Sequence, residues 1–183
     1  MLFRSVSLAI SLALQNTLSD IASGIIIWIN RPFRVGDYIE LGGDEGIVDE
    51  IGLIYTKLKT IDNKHIMIPN SDVASARVTD FSASENRRLD LNFMISYKDS
   101  IEQARQVILK SARDTGMVVE DPAPIVIVTD HTENGVRIQA RIWVLRKDLL
   151  FLRSILLEEV KNKFEDVGIT IPSRIVTVKI IEK

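Results

Sequence analysis

Few residues in this sequence could carry out chemistry, and their spacing matches no catalytic pattern. The chain has no cysteine and two histidines, which excludes a thiolate metal site and leaves little for an imidazole one. Each histidine has a carboxylate nearby, as Asp62 and His65 or as Asp130 and His131, but such pairs are usually surface contacts. No serine lies in a nucleophile elbow, and no glycine loop matches a phosphate site. We therefore expect no enzyme, no metal and no cofactor.

The composition is that of a folded protein with an unusual N-terminus. The 183 residues are 46% hydrophobic and 26% charged, with a formal net charge of −2. A nucleic-acid-binding protein usually carries a basic excess or a basic stripe, so we expect no nucleic-acid partner. Residues 1–29 hold only two charged side chains, Arg4 and Asp20, which separates this segment from the charged remainder.

The apolar N-terminal segment has three interpretations: a signal peptide, a helix buried in a soluble core, or a helix embedded in a membrane. One membrane-spanning helix needs about 20 apolar residues, whereas polar residues 15–20 interrupt this run. Irregular backbone at membrane depth survives only beside protein or water. A membrane helix would therefore bend or break near Gln15 and Asn16, and Asn16 or Thr17 would cap its second half.

The first half of this segment has a leucine ridge between rows of small residues. Leu8 and Leu12 lie four positions apart and share one face of a helix. Small residues in rows let membrane helices approach closely. Identical helices packed in a ring would point these leucines at the axis and form an apolar constriction, although ordinary packing in one bundle fits the spacing equally well. The flanking small residues are Ser5, Ala9 and Ala13 on one side and Ser7 and Ser11 on the other.

Two arginines follow the apolar run directly. Pro32 ends the predicted helix, and Arg31 and Arg34 stand on either side of it. Positive charge at the end of a membrane helix favours the cytoplasmic side, although arginines also stabilise the C-terminal end of a soluble helix.

From residue 35 the sequence alternates with the period of β-strands and then changes to an α/β pattern. Short strands separated by glycine turns predict a small barrel or a strongly bent sheet, and a later strand, helix, strand, strand, helix, strand order predicts a ferredoxin-like domain with both helices on one face. The predicted strands of the first part are 37–41, 46–51, 55–61, 65–69 and 78–81, with a short helical turn capped by one of residues 70–72. The elements of the second part are strands 89–97, 125–129, 136–144 and 175–181 and helices 100–115 and 149–167.

The motifs from the apolar helix into the first strands resemble the small-conductance mechanosensitive ion channel family. Residues 14–24 are similar to the pore-helix signature of that family, and residues 31–39 to the entry into its middle β domain. Residues 68–70 and 80–82 are similar to the end of that domain. Because the family follows its β domain with an α/β domain, the resemblance covers nearly the whole chain.

The resemblance implies an α+β protein with three parts: a broken pore helix in 1–30, an Sm-like β domain in 31–82 and a ferredoxin-like cytoplasmic domain in 83–183. It further implies a homo-oligomer, usually a heptamer, in the cell membrane, which membrane tension opens to release ions and small osmolytes after hypo-osmotic shock. Leu8 and Leu12 match the pore rings of the family. Gln15 and Asn16 match its kink, and Gly24 matches a glycine of the second half-helix.

Some features depart from the family pattern. Asn16 stands where the family often has glycine, and asparagine is the residue that best replaces it in unusual backbone. Arg4 lies one turn before Leu8, and a charged side chain within a membrane helix is energetically costly unless it is hydrated or ion-paired. The family also has two or more membrane helices before its pore helix, so the sequence as written could form a ring without gating normally. Two alternatives are a non-conducting structural ring or regulator and an Sm-like binding module.

Overall fold

The computed structural model describes the backbone of residues 2–172 and the side chains of residues 12–172. The chain forms two compact units, residues 1–84 and residues 85–183. The strand predicted at 175–181 lies outside the described residues.

The N-terminal unit starts with a long helix, α1 (Leu2–Asn30). It runs without interruption through Gln15 and Asn16, so the predicted break is absent and neither Asn16 nor Thr17 caps a second helix. Polar residues of this kind cost a helix only a few tenths of a kcal/mol each, about 0.7 at most, and do not break it by themselves. A bend of the helix axis at this point stays a prediction. Arg31 has a left-handed φ of 47°, and Pro32 follows it, which ends α1.

The rest of the N-terminal unit is an antiparallel sheet of five short strands in the order β4-β3-β2-β1-β5. Gly42 and Gly43 link the first two strands with positive φ values of 62° and 100°, which glycine adopts without a Cβ clash. The alternating buried residues include Ile39, Val48 and Leu58. Closure of this sheet into an Sm-like barrel stays a prediction. The strands are β1 (Tyr38–Leu41), β2 (Asp44–Ile51), β3 (Tyr55–Lys59), β4 (His65–Pro69) and β5 (Val78–Asp80), with a short helix, α2 (Asn70–Ser75), between the last two.

The C-terminal unit is built around its longest strand. β6 pairs with one edge of β9, and β7 and β8 follow one another along the opposite edge, all antiparallel. β7 was not predicted, because two residues are too short to show a period. The elements are β6 (Asn86–Ile95), α3 (Ile101–Asp114), β7 (Val118–Val119), β8 (Ile125–Thr132), β9 (Gly135–Leu145), a 3-10 helix (Arg146–Asp148) and α4 (Leu149–Asp166).

Both helices of the C-terminal unit pack on the same face of its sheet, which confirms the prediction. Alternate residues of β9 are buried, from Val136 to Val144, and they share one apolar core with the buried residues of α3 and α4. Ser100 begins α3 as its N-cap, where its hydroxyl accepts a hydrogen bond from Gln103 N at 3.3 Å. Phe164 of α4 is fully buried and meets Phe93 of β6 edge to face, with ring centroids 6.1 Å apart.

The substitution Phe164→Ala tests this core. It removes a fully buried ring and leaves a cavity, so we expect the free energy of unfolding of the C-terminal unit to fall by about 3–5 kcal/mol. Phe151→Ala on the same helix is the matched control, because Phe151 is 60% exposed and its loss should change that free energy by about 0.5 kcal/mol or less. Urea titration followed by the fluorescence of Trp143, in a Trp28→Phe background, measures both. Equal effects of the two substitutions would contradict the assigned core.

Candidate functional site: the docking of α1 on the N-terminal sheet

Helix α1 presents an apolar surface that the described part of the chain leaves uncovered. Leu12 is 62% exposed and Ile29 is 66% exposed, and Leu14, Leu18 and Trp28 are exposed as well. Within the described residues, Leu12–Asn30 is long and apolar enough to cross a membrane. Exposed apolar surface of this extent marks contact with a lipid or with another protein.

One side of α1 docks on the N-terminal sheet. Asp20, Gly24 and Ile27 carry this contact, and their spacing of four and three residues puts them on one helix face. Ile27 is 3% exposed and joins the apolar core of the sheet, together with Phe33 from the segment after the helix. The helix is therefore fixed along its last three turns.

Gly24 is the point of closest approach. A Cβ atom at this position would lie 2.4 Å from the carbonyl oxygen of Leu53 and 2.5 Å from Nδ2 of Asn70. Both distances are far below van der Waals contact, and the first neighbour is backbone that cannot swing aside. The docking therefore requires glycine at this position, and the family role expected for Gly24 in the second half-helix stays a prediction.

A buried asparagine holds the loop under Gly24. Asn70 is fully buried, and its Nδ2 donates to the carbonyl oxygens of Gly52 and Leu53 at 3.0 and 2.9 Å. Its Oδ1 accepts from Oγ1 of Thr56 at 2.8 Å, and its backbone N–H donates to the carbonyl of Ile54 at 2.8 Å. Both amide protons and the amide oxygen are used, so the buried group carries no desolvation penalty for a missing partner.

Asp20 ties α1 to the start of α2. Its Oδ1 accepts hydrogen bonds from the backbone N–H of Ser71 at 3.1 Å and from the hydroxyl of Ser71 at 2.6 Å. The prediction that a residue in 70–72 caps the short helix is wrong. Pro69 occupies the N-cap without a side-chain bond, because the Asn70 side chain turns inward and Asp20 supplies an acceptor from α1.

The end of α1 forms a turn held by hydrogen bonds and ring contacts. The N–H of Arg31 donates to the carbonyl of Ile27 at 2.8 Å, and its guanidinium lies over the Trp28 ring, 5.6 Å from the centroid. Phe33 is 2% exposed and anchors the chain in the sheet core. The backbone N–H of Arg34 then donates to Oδ2 of Asp37 at 2.6 Å.

Of the two predicted pore leucines, only Leu12 has a described side chain, and it lies on the uncovered part of α1. At 100° per residue, Leu12 points about 120° away from Gly24 around the helix, and Gln15 and Asn16 are exposed. Ala13 is exposed and shares the side of α1 that docks further along. The side chains of Ser5, Ser7, Leu8, Ala9 and Ser11 lie outside the described residues. Their roles, and that of Leu12, stay predictions.

The carboxylate and imidazole pairs of the sequence analysis are engaged elsewhere. Asp62 pairs with Lys64 at 2.6 Å, and the hydrogen bond from Lys64 lowers the pKa of Asp62. His65 lies 3.9 Å from Asp49 instead. Asp130 pairs with Arg137 at 3.6 Å.

The second histidine, His131, stacks on Tyr97 with ring centroids 6.0 Å apart. Within the described residues no group of three or more metal-ligating side chains is present. The features that stand out are therefore the exposed helix and its docking contacts.

Comparison with known proteins matches both units of the chain to one family. Residues 16–83 match the family model described as the β domain of mechanosensitive ion channels, and residues 89–171 match the C-terminal domain of the mechanosensitive ion channel MscS. The closed-state crystal structure of Helicobacter pylori MscS superposes with a TM-score of 0.93 at 28% identity, over 100% of this chain and 72% of that one.

Two curated relatives agree with these matches. The small-conductance mechanosensitive channel of Helicobacter pylori is 33% identical over 170 residues, which is 92% of this chain and 62% of that protein. An MscS family protein of Synechocystis is 32% identical over 166 residues, which is 91% of this chain and 56% of that protein. The chain thus spans about three fifths of the length of these relatives.

The substitution Gly24→Val tests the close approach. The new side chain must push α1 away from the Leu53 carbonyl, so we expect the free energy of unfolding of the N-terminal unit to fall by about 1–3 kcal/mol. Faster hydrogen exchange in residues 66–75 should accompany this loss. Ala22→Val is the matched control on the exposed side of the helix. Intrinsic helix propensity favours valine over glycine and alanine over valine, so propensity alone predicts the opposite order of the two variants, and that order would contradict the contact.

The substitution Asp20→Ala tests the bond to α2. It leaves the Ser71 N–H and hydroxyl without their acceptor, and we expect a loss of about 1–2 kcal/mol in the stability of the N-terminal unit. Asp20→Asn keeps an acceptor oxygen and should lose less. Asn16→Ala, an exposed position one turn earlier, serves as the control in the same thermal unfolding experiment. A loss no larger for Asp20→Ala than for Asn16→Ala would show that the bond does not stabilise the docking.

Proposed function

The chain belongs to the small-conductance mechanosensitive channel family, and we propose that it is a channel subunit that membrane tension opens to release ions and small osmolytes during hypo-osmotic shock. The supporting observation is the division of α1 into two surfaces. One side is fixed to the sheet through Asp20, Gly24 and Ile27, and the rest of the surface described for residues 12–30 exposes leucines, isoleucines and a tryptophan. A chain of this kind needs lipid and neighbouring copies to cover the helix.

The proposed assembly is a homo-oligomeric ring, a heptamer, in which the first half of α1 lines the pore. Identical helices approach through the rows of small residues, Ser5, Ala9 and Ala13 against Ser7 and Ser11. Leu8 and Leu12 then form two apolar rings at the axis.

The proposed gate works by wetting. In a narrow ring of leucine side chains a water column is unstable, so ions cannot pass. Tension favours the state with the larger in-plane area, which draws the helices apart and lets water fill the constriction. A bend at Gln15 and Asn16 separates this moving half from the half that is docked on the sheet.

The proposed location is the cell membrane, with both globular units in the cytoplasm. Arg31 and Arg34 follow the apolar helix directly and carry the positive charge expected on the cytoplasmic side. The partners are then the lipid bilayer, further copies of the chain and the permeating ions and osmolytes. The family is one of ion channels, and we propose no catalytic activity.

Patch-clamp recording under suction tests this proposal. In the full-length gene product, Leu12→Ser places a hydroxyl in the constriction, which favours water there, so we expect the channel to open at lower tension than the unsubstituted channel. Leu14→Ser is the matched control. Leu14 is also exposed, at 49%, but it lies about 160° away from Leu12 around the helix, and its substitution should leave the closed pore dry.

Three results would contradict the proposal. A conductance that ignores suction would exclude tension gating. An unchanged opening tension for Leu12→Ser would exclude this residue from the gate. Ring-sized particles that conduct no current at any tension would favour the non-conducting structural ring.

A further inference from the structure

The chain leaves the N-terminal unit beside the point where it enters the sheet of that unit. Residues 34–37 lead from α1 into β1, and residues 81–84 lead from β5 towards the C-terminal unit. Because β1 and β5 are antiparallel, with Ile39 opposite Asp80, the start of β1 and the end of β5 lie together. The entry and the exit therefore share one end of this strand pair.

Tyr38, the first residue of β1, holds the exit segment at this end. Its backbone N–H donates to Oγ of Ser82 at 2.8 Å, and its carbonyl accepts the N–H of Phe81 at 3.0 Å. The rings of Tyr38 and Phe81 lie with their centroids 5.7 Å apart. The N–H of Ser82 in turn donates to Oδ1 of Asp80 at 2.7 Å. We call residues 78–82 the exit latch.

The exit latch is shallow compared with the strand that it covers. All five of its residues are partly or fully exposed, and Val78 alone among them packs at the margin of the sheet core. Ile39 and Leu41 of β1, in contrast, are 0% and 4% exposed and belong to that core. β5 is also an edge strand of the sheet. Detachment of the latch would uncover little apolar surface, and elements of this kind open before the core does.

A load between α1 and the C-terminal unit would act on this end of the strand pair. α1 is joined to the sheet core through Ile27 and Phe33, whereas the C-terminal unit pulls through the residues after Ser82. Antiparallel strands that are pulled apart at a shared end separate one hydrogen bond at a time, because each bond lies across the strands. The contacts of Tyr38 with Phe81 and Ser82 are therefore the first to carry the load.

We propose that the exit latch is released by force: a load between α1 and the C-terminal unit peels residues 78–82 from β1 while the other four strands stay folded. Five released residues extend by up to about 17 Å, and the connection between α1 and the C-terminal unit lengthens by up to that distance. α1 then moves without drawing the C-terminal unit with it. This inference rests on the proposed function in one respect, the membrane tension that pulls on α1.

Single-molecule pulling on the full chain in detergent tests the release without a membrane. The sequence has no cysteine, so Val35→Cys and Ala83→Cys, at two exposed positions, attach one handle on each side of the latch. Mixing with an excess of the cysteine-free chain leaves at most one labelled copy in each particle. We expect a reversible first step of at most about 17 Å, at a lower force than the unfolding of the remaining sheet.

Two serines two residues apart provide a matched pair of variants for the pulling experiment. Ser82→Ala removes the acceptor of the Tyr38 N–H, so we expect it to shift the opening equilibrium at a given force roughly 2- to 10-fold towards the released state. Ser84→Ala changes an exposed side chain that lies outside the two handles, and it should leave the first step unchanged.

A disulfide lock tests the role of the latch in the channel. Glu40 and Thr79 are direct partners in the β1–β5 ladder, so Glu40→Cys and Thr79→Cys place two thiols within reach of a disulfide. In patch-clamp recording of the full-length gene product, we expect the oxidised channel to open at higher tension than after reduction. Lys59→Cys with His65→Cys is the matched control, because these partners join β3 to β4 and reduction should leave their opening tension unchanged.

Three results would overturn the exit latch. Loss of the whole sheet with no shorter step before it would show that β5 opens only with the rest. Equal effects of Ser82→Ala and Ser84→Ala would show that the bond from Tyr38 does not hold the segment. An opening tension of the Glu40→Cys and Thr79→Cys channel that ignores reduction would show that the latch stays closed during gating. A channel that conducts at no tension in either redox state would overturn the proposed function instead, and the pulling experiment would still decide whether force releases the latch.

Discussion

The structure of the N-terminal unit depends on one close contact, where the backbone of α1 meets the loop after β2. Gly24 allows the approach because it has no side chain. Asn70 stabilises the loop in this position, because its buried amide donates hydrogen bonds to the carbonyl oxygens of Gly52 and Leu53. Neither residue would suffice alone. A glycine against a mobile loop would gain little packing, and a buried amide without all its partners would cost about 1–3 kcal/mol.

This contact explains how a helix with so much uncovered surface keeps a defined position. Packing of apolar side chains is not directional, and α1 buries only Ile27 among its large apolar residues in the described part of the chain. The hydrogen bonds from Ser71 to Asp20 and the close fit at Gly24 fix the orientation of α1 on the sheet instead. The described apolar remainder stays uncovered, and it is the surface that the proposed function assigns to lipid and to other copies of the chain.

The sequence predicts the regular elements well because their signals are local. Alternation along residues 136–144 and glycines after strands and helices require only short-range information, and the strands and helices they predict are present in the described part of the chain. The docking site was not predictable in the same way. Asp20 stands out in the sequence as one of two charges in an apolar segment, yet its partner Ser71 lies 51 residues away, and no local pattern links the two.

Asn70 also shows that a local pattern cannot predict a contact made through the fold, because here the local pattern predicts a different role. Its position after Pro69 predicts a helix cap, because asparagine is one of the residues preferred at the N-cap. The buried position favours a different role. There the amide of Asn70 forms three hydrogen bonds, two with the loop and one with β3, whereas a cap would form only one. The role of Leu12 stays a prediction for a related reason, since one chain does not show what covers an exposed helix surface.

The placement of the docking contacts also bears on where α1 can move. From Asp20 to Phe33 the chain is held at successive points by a carboxylate, a glycine contact and two buried apolar side chains. Before Asp20 the described side chains, those of residues 12–19, are exposed, and none of the docking contacts named above lies there. In the proposed channel, a force on the N-terminal half of α1 would therefore bend the helix just ahead of its first fixed residue. Gln15 and Asn16 lie there, and the weaker helix propensity of Asn16 makes the bend less costly than it would be in a run of leucines.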